Sequence, residues 1–181
     1  MRIVLLGDSH LARVRRDRAR LAPPGADVVN AAVGGAVASE LVPQAVAAGV
    51  GPDDVLVVSI GSNDAAPWKQ VHLDTMAACI DDFLARTPRR ALVYVVPPGV
   101  DEAGLTGPGD RTDAVVTAYA DAAAERFGAA GATLVHARDL LAPLGAAAFA
   151  DDAVHLTGAG YDLLLPAIRE AVAQTAGRPA T

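Results

Sequence analysis

Apolar residues fall into two alternating patterns along this chain. Short unbroken runs stop at glycine or proline, and between them apolar residues recur every three or four positions. The runs predict strands covered on both faces; the recurring positions predict helices with one apolar stripe. Residues 2–6 form the first run, which ends at Gly7. Residues 27–31 form a second, ending in Val33-Gly34-Gly35-Ala36, a turn signal. Ala38, Leu41, Val42, Ala45 and Gly49 then predict a helix over 36–48. The third run, 55–60, is apolar except for Ser59 and stops at Gly61-Ser62-Asn63-Asp64. Leu73, Met76, Ala77, Ile80, Phe83 and Leu84 make a helical stripe. Residues 91–96 are a fourth strand, closed by Pro97-Pro98-Gly99, and 97–110 read as an irregular loop. Val116, Tyr119, Ala120, Ala123 and Phe127 mark a helix, 132–136 a fifth strand, and the chain is less regular up to Ala150. Tyr161, Leu164, Leu165, Ile168 and Val172 mark a last helix, with Pro166 predicting a bend or a late start.

Strands alternate with helices throughout, which predicts a three-layer α/β/α architecture around a parallel sheet. No repeat, low-complexity segment or linker interrupts it, so 1–176 read as one domain and 177–181 as a frayed tail. A chain of 181 residues buries roughly 70% of its unfolded surface without staples. Its one cysteine, Cys79, excludes an internal disulfide and fits a reducing compartment. The net charge of −6 argues against a nucleic-acid or anionic-membrane partner. Arg13, Arg15, Arg16, Arg18 and Arg20, with Asp17 among them, read as a solvated helix face. No stretch reaches the roughly 18 apolar residues of a membrane span. The first residues form a strand at once, without the parts of a signal peptide, so we expect a cytoplasmic protein or one trimmed at its start. An apolar stripe serves a core or a partner equally, so the oligomeric state is not legible.

Four polar or glycine-rich segments remain. Ser9, Gly34-Gly35 and Asn63 each follow a strand directly, and in a parallel sheet those strand ends share one edge. The fourth, Asp151-Asp152-Ala153-Val154-His155, precedes the last helix and has to reach the same edge. Singly, each has a plain structural role: a helix cap, a turn, a loop, a surface histidine. Together they hold what acyl transfer to a serine needs. A hydroxyl becomes a nucleophile when a base takes its proton, and a carboxylate orients that base. Ser9, His155 and Asp152 suit those roles. The Ser9 N–H, the Gly35 N–H and the Asn63 amide suit the oxyanion. The three-residue step from Asp152 to His155 puts both side chains on one side of a turn; Asp151 is the rival carboxylate.

Four blocks in order, Gly7-Asp8-Ser9-His10, Asn30-Ala31-Ala32-Val33-Gly34-Gly35, Gly61-Ser62-Asn63-Asp64 and Asp152-Ala153-Val154-His155-Leu156-Thr157 with Gly160-Tyr161, resemble the SGNH hydrolases, the GDSL esterases and lipases. The resemblance implies a flavodoxin-like sheet of five parallel strands. It implies Ser9 as nucleophile, His155 as base with Asp152 as its partner, and Ser9, Gly35 and Asn63 as oxyanion donors. Two positions depart from the family pattern. His10 stands where an apolar residue is usual, and Ala32 where glycine is frequent.

These residues predict a serine esterase acting on a small-molecule ester, with a small acyl or acetyl group favoured because few long loops are available to enclose a site. Acyl transfer by the same triad and a binding domain that has lost turnover are the alternatives. The four histidines lack metal-ligand spacing, and the chemistry calls for no metal or cofactor. Asp8 reads as an acceptor for backbone groups at the turn, and His72 and His136 as surface or packing residues. Trp68 either walls the cleft or packs half-buried. The 97–110 loop is a candidate flap whose Asp101, Glu102 and Asp110 are equally plain solvation.

Overall fold

A computed structural model describes residues 1–15, 17–107 and 109–176. Arg16 of the basic cluster and the tail after Ala176 lie outside them. Five parallel strands form one sheet: β1 (Arg2–Gly7), β2 (Asp27–Asn30), β3 (Val55–Ser59), β4 (Ala91–Val96) and β5 (Thr133–His136), in the order β2-β1-β3-β4-β5. Among the described residues six α-helices flank it: α1 (Ser9–Ala12), α2 (Leu41–Ala47), α3 (Leu73–Arg86), α4 (Asp113–Ala129), α5 (Ala137–Leu141) and α6 (Gly158–Ala176).

Strand alternation divides the apolar runs between two cores. Ile3, Leu5, Val55, Val57, Val93, Val95 and Val135 pack on one face with residues of α1, α5 and α6. Val4, Leu6, Leu56, Val58, Leu92, Tyr94 and Val96 pack on the other with α2, α3 and α4. That double burial is why the strands read as unbroken apolar runs. Phe127 of α4 stacks on Tyr94 at 4.2 Å between centroids, and the Tyr94 hydroxyl donates to Ile60 O at 2.8 Å. The buried ring is thereby satisfied and braces the chain just before Asn63.

Three expectations change. The helix over 36–48 shrinks to a 3₁₀ turn at Ala38–Glu40 and α2, because Ala36 O and Ala38 N are bound by side chains of the Asn63 loop. The basic cluster is not one helix face: α1 ends at Ala12, and 3₁₀ turns at Arg13–Arg15 and Arg18–Leu21 follow, with Val14 and Leu21 buried in the core. The last helix does not start late; α6 begins at Gly158 and carries Pro166 inside it. The irregular stretch before it holds α5 and a 3₁₀ segment. Among the described residues no helix is long and apolar enough to cross a membrane.

The strand order places the topological switch at β1 and β3, where the crossovers leave in opposite directions and a crevice opens beyond the carboxyl ends. Ser9 follows β1 and Asn63 follows β3.

Candidate active site

Gly7 makes the turn that presents Ser9. Its φ is +121°, and a Cβ there would lie 1.8 Å from Ser59 O, so only glycine lets β1 approach β3 this closely. Asp8 N then donates to Ser59 O at 3.0 Å. Asp8 is fully buried, and its Oδ1 accepts from His10 N at 3.0 Å, which is the structural role expected of it. Gln44 of α2, which sequence reasoning missed, holds Gly7 from the other side. Its Oε1 accepts from Gly7 N at 2.6 Å, and its Nε2 donates to Gly7 O at 2.9 Å. The available signal was a polar residue three positions after Leu41, on the apolar side of a helix.

The donor loops are tied to one another. Asn63 is half-buried, and its Nδ2 donates to Ala36 O at 3.1 Å. That uses one of the two amide hydrogens and orients the other. Asp64 is buried, and its Oδ1 accepts from Ala38 N at 2.9 Å. Burial raises its pKa to about 6, with the nearby Asp8 adding to the shift and backbone hydrogen bonds opposing it. Gly35 has φ +80°, and Lys69 Nζ donates to its carbonyl at 2.8 Å.

Asp152 and His155 form a closed turn. Asp152 Oδ2 lies 2.6 Å from His155 Nδ1, and Oδ1 accepts from the backbone N–H groups of Val154 at 3.1 Å and His155 at 2.8 Å. Partial burial pushes the carboxyl up, but the His155 and Val154 hydrogen bonds outweigh it and bring Asp152 to about 2. Ala153, between them, takes φ +60°, a left-handed conformation rare outside glycine, and is buried. The rival Asp151 is exposed, and its neighbour alone meets the imidazole.

Ser9, Gly34, Gly35 and His155 line one open cleft of about 660 Å³ together with Ala12, Arg13 and Asp17. Three of the four segments meet in this cleft; Asn63 is not among the described residues lining it and is tied to the Gly35 segment through Ala36 O, with Asp64 beside it bonded to Ala38 N. Arg13 Nη2 stands 3.9 Å from Asp152 Oδ2, a loose exposed pair. Among the described residues no three His, Cys, Asp or Glu side chains gather as metal ligands would.

The remaining candidates fall outside the cleft. His10, the departure from the family pattern, is only 2% exposed, with Nδ1 3.3 Å from Asp8 Oδ1 and its ring 6.3 Å from that of His155. Its carbonyl accepts from Tyr161 OH at 2.9 Å, which joins the Ser9 turn to α6. Burial raises the Tyr161 pKa to about 12. Ala32 is buried, and its N–H donates to Asn30 Oδ1 at 3.1 Å. His72 and His136 are exposed.

Among the described residues, none of the 97–110 loop lines the cleft. The loop packs against the turn between Asp152 and His155. Asp101 N donates to Ala153 O at 2.9 Å, and Val100 packs with Ala65, Val116 and Val154. Arg111, also missed from the sequence, donates from Nη1 to Ser62 O at 2.8 Å and from Nε to Asp110 Oδ1 at 3.1 Å, so Asp110 is paired rather than merely solvated. The Arg111 guanidinium lies 4.9 Å over the Trp68 ring. Trp68 is exposed, which excludes the half-buried packing role, and it is not among the described residues that line the cleft.

A family model of the GDSL-like Lipase/Acylhydrolase family matches residues 6–163. No curated protein matches. Among solved structures, the chain superposes on a lipase/acylhydrolase from Enterococcus faecalis with a TM-score of 0.73 at 20% identity, covering 99% of this chain and 100% of that one. A carbohydrate acetylesterase from Sinorhizobium meliloti gives 0.75 at 14% identity over 96% and 98%. An acetylxylan esterase from Geobacillus stearothermophilus gives 0.73 at 18% identity over 99% and 95%. At these identities the structures share the fold; the family model, which spans most of the sequence, goes further, and the chain belongs to the GDSL-like lipase/acylhydrolase family.

Proposed function

We propose that the chain is a serine esterase that hydrolyses carboxylic esters of small acyl groups through an acyl-enzyme. The observation that carries this reading is the meeting of Ser9, Gly35 and His155 in one cleft, with the His155 Nδ1 side already taken by Asp152. That leaves Nε2 as the nitrogen free to work on Ser9.

In this reading His155 Nε2 takes the Ser9 hydroxyl proton as Oγ attacks the ester carbonyl carbon. Asp152, held ionised by its hydrogen bonds, stabilises the imidazolium and does not itself take the proton. The carbonyl oxygen becomes an oxyanion and receives the Ser9 N–H, the Gly35 N–H and the second Asn63 amide hydrogen. Collapse of the tetrahedral intermediate breaks the bond to the alcohol oxygen, which leaves with the proton from His155. A water molecule then gives His155 a proton and attacks the acyl carbon, releasing the carboxylic acid and restoring Ser9. The open cleft admits water to the acyl-enzyme, which favours hydrolysis over transfer to another alcohol. Among the described residues its lining carries no apolar side chain larger than that of Ala12, which favours acetyl and other short acyl groups.

A panel of nitrophenyl esters from acetate to laurate, run with native protein and Ser9→Ala, tests the reading. Hydrolysis that falls with acyl length and vanishes in Ser9→Ala supports it. Equal hydrolysis by both proteins contradicts it.

A further inference from the structure

Arg111 is only 6% exposed, and among the described side chains no other arginine or lysine is buried. Burying a guanidinium is costly unless its charge and its donors are answered. Asp110 Oδ1 accepts from Arg111 Nε at 3.1 Å and from its backbone N–H at 2.6 Å. The Trp68 ring covers the guanidinium at 4.9 Å. The remaining bond runs from Nη1 to Ser62 O at 2.8 Å. A buried carbonyl needs only a neutral donor; a charged one makes the bond stronger and more directional.

Ser62 O lies in the peptide plane that leads into Asn63. Holding that oxygen fixes the tilt of the plane, and so the point from which the Asn63 side chain starts. Asn63 is tied at two further points: its Nδ2 donates to Ala36 O at 3.1 Å, and its carbonyl accepts from Ala66 N at 3.0 Å. Arg111 acts on the N-terminal side, which neither of those bonds reaches. It is itself carried by a packed element. The next residue, Thr112, is the N-cap of α4, and its Oγ1 accepts from Val115 N at 3.2 Å. Along the same helix Val116 packs with Ala65, and Tyr119 OH donates to Val71 O at 2.6 Å. One helix thus holds both ends of the 62–71 segment.

Resting on the reading of Asn63 as an oxyanion donor given above, we infer that Arg111 is a positioning residue for catalysis, which acts through the Ser62–Asn63 peptide to keep the second Asn63 amide hydrogen on the oxyanion. A shift of about 1 Å in such a donor can cost a hundredfold in rate. Acylation and deacylation both pass through the oxyanion. The loss therefore falls on kcat whichever step limits, and KM stays nearly unchanged.

The test is a double-mutant cycle on phenyl acetate with native protein, Arg111→Met, Asn63→Ala and the double variant. Urea unfolding of each sets a temperature at which all are folded. Asn63→Ala should lower kcat by about 10²–10³-fold, as loss of an oxyanion donor does. Arg111→Met should lower it about tenfold in the native background, with KM changed less than about twofold. In the Asn63→Ala background the same change should cost less than about twofold, because the group it positions is gone. Arg111→Lys keeps a charged donor for Ser62 O and should hold kcat within about threefold of native.

Equal losses from Arg111→Met in both backgrounds overturn the inference, and so does a loss of stability with native kcat. An Asn63→Ala protein with native kcat instead overturns the oxyanion reading of Asn63 on which the inference rests. Should Arg111→Met not fold, Arg111→Lys decides in its place. A fall in the native background that disappears in Asn63→Ala supports the inference, and equal falls or none overturn it.

Discussion

Asp152 grips His155 at two points: its Oδ2 lies 2.6 Å from Nδ1, and its Oδ1 accepts from the same residue's backbone N–H at 2.8 Å. One carboxylate therefore sets both the ring's orientation and the turn that carries it. Asp152→Asn should lower kcat by about 10²–10⁴-fold, in the range found when a triad carboxylate loses its charge. Asp151→Asn should change it less than about twofold, since surface substitutions away from such features are nearly neutral. Steady-state kinetics on one acetate ester checks both, and the reverse order would move the base's partner to Asp151. Because Asp152 sits near 2, its contribution to the fold is present above the ordinary carboxylate range and is lost only as pH falls toward that value.

The bond pair between Gln44 and Gly7 makes a second expectation. Gln44→Leu keeps the buried volume but leaves the Gly7 N–H without its acceptor, while Gly7 O keeps Val33 N at 2.9 Å. One orphaned buried donor costs about 1–3 kcal/mol. Urea unfolding should show a loss of that size with the slope unchanged, and a neutral result would mean that the Gly7 turn does not need its clamp.

Asp64 predicts a pH dependence of stability. Its pKa is about 6 in the folded chain against 3.8 for the free side chain, so the folded state holds the proton more tightly. Its contribution is full below the ordinary carboxylate value and is lost as pH rises through about 6. Asp64→Asn keeps an oxygen for Ala38 N and does not titrate. The stability of Asp64→Asn relative to native protein should therefore rise by roughly 2–3 kcal/mol between pH 4 and pH 7. Denaturant unfolding at four pH values checks this, and a difference that stays flat would mean that burial does not hold the proton on Asp64.

The fold was legible because the central strands β1, β3 and β4 are apolar on both faces and α3, α4 and α6 carry recurring apolar positions. The errors share a cause. Around Ala36 and Ala38, side chains from 26 and 27 residues away bind the backbone and delay the helix. Likewise Ser9, Gly35, Asn63, Asp152 and His155 could be picked out because their chemistry is visible in the residue type at a strand end or turn. Gln44, Lys69 and Arg111 could not, because each acts on the backbone of a residue 34 to 49 positions away. The same holds for the 97–110 loop: the bond from Asp101 N to Ala153 O is set by tertiary packing and leaves no mark in the composition of the loop. His10 departs from the family pattern and is buried there, with Nδ1 facing Asp8 Oδ1 and Nε2 without a hydrogen-bond partner; the Tyr161 hydroxyl bonds its backbone carbonyl, which any residue would offer.

The central claim is that Ser9 is an activated nucleophile. Treating native protein with a fluorophosphonate and locating the adduct by peptide mass spectrometry tests it most directly. A single adduct on Ser9 is expected, formed at least about a hundredfold more slowly in His155→Ala, where the hydroxyl has lost its base. No adduct, an adduct on another residue, or labelling at the same rate without His155 would contradict it.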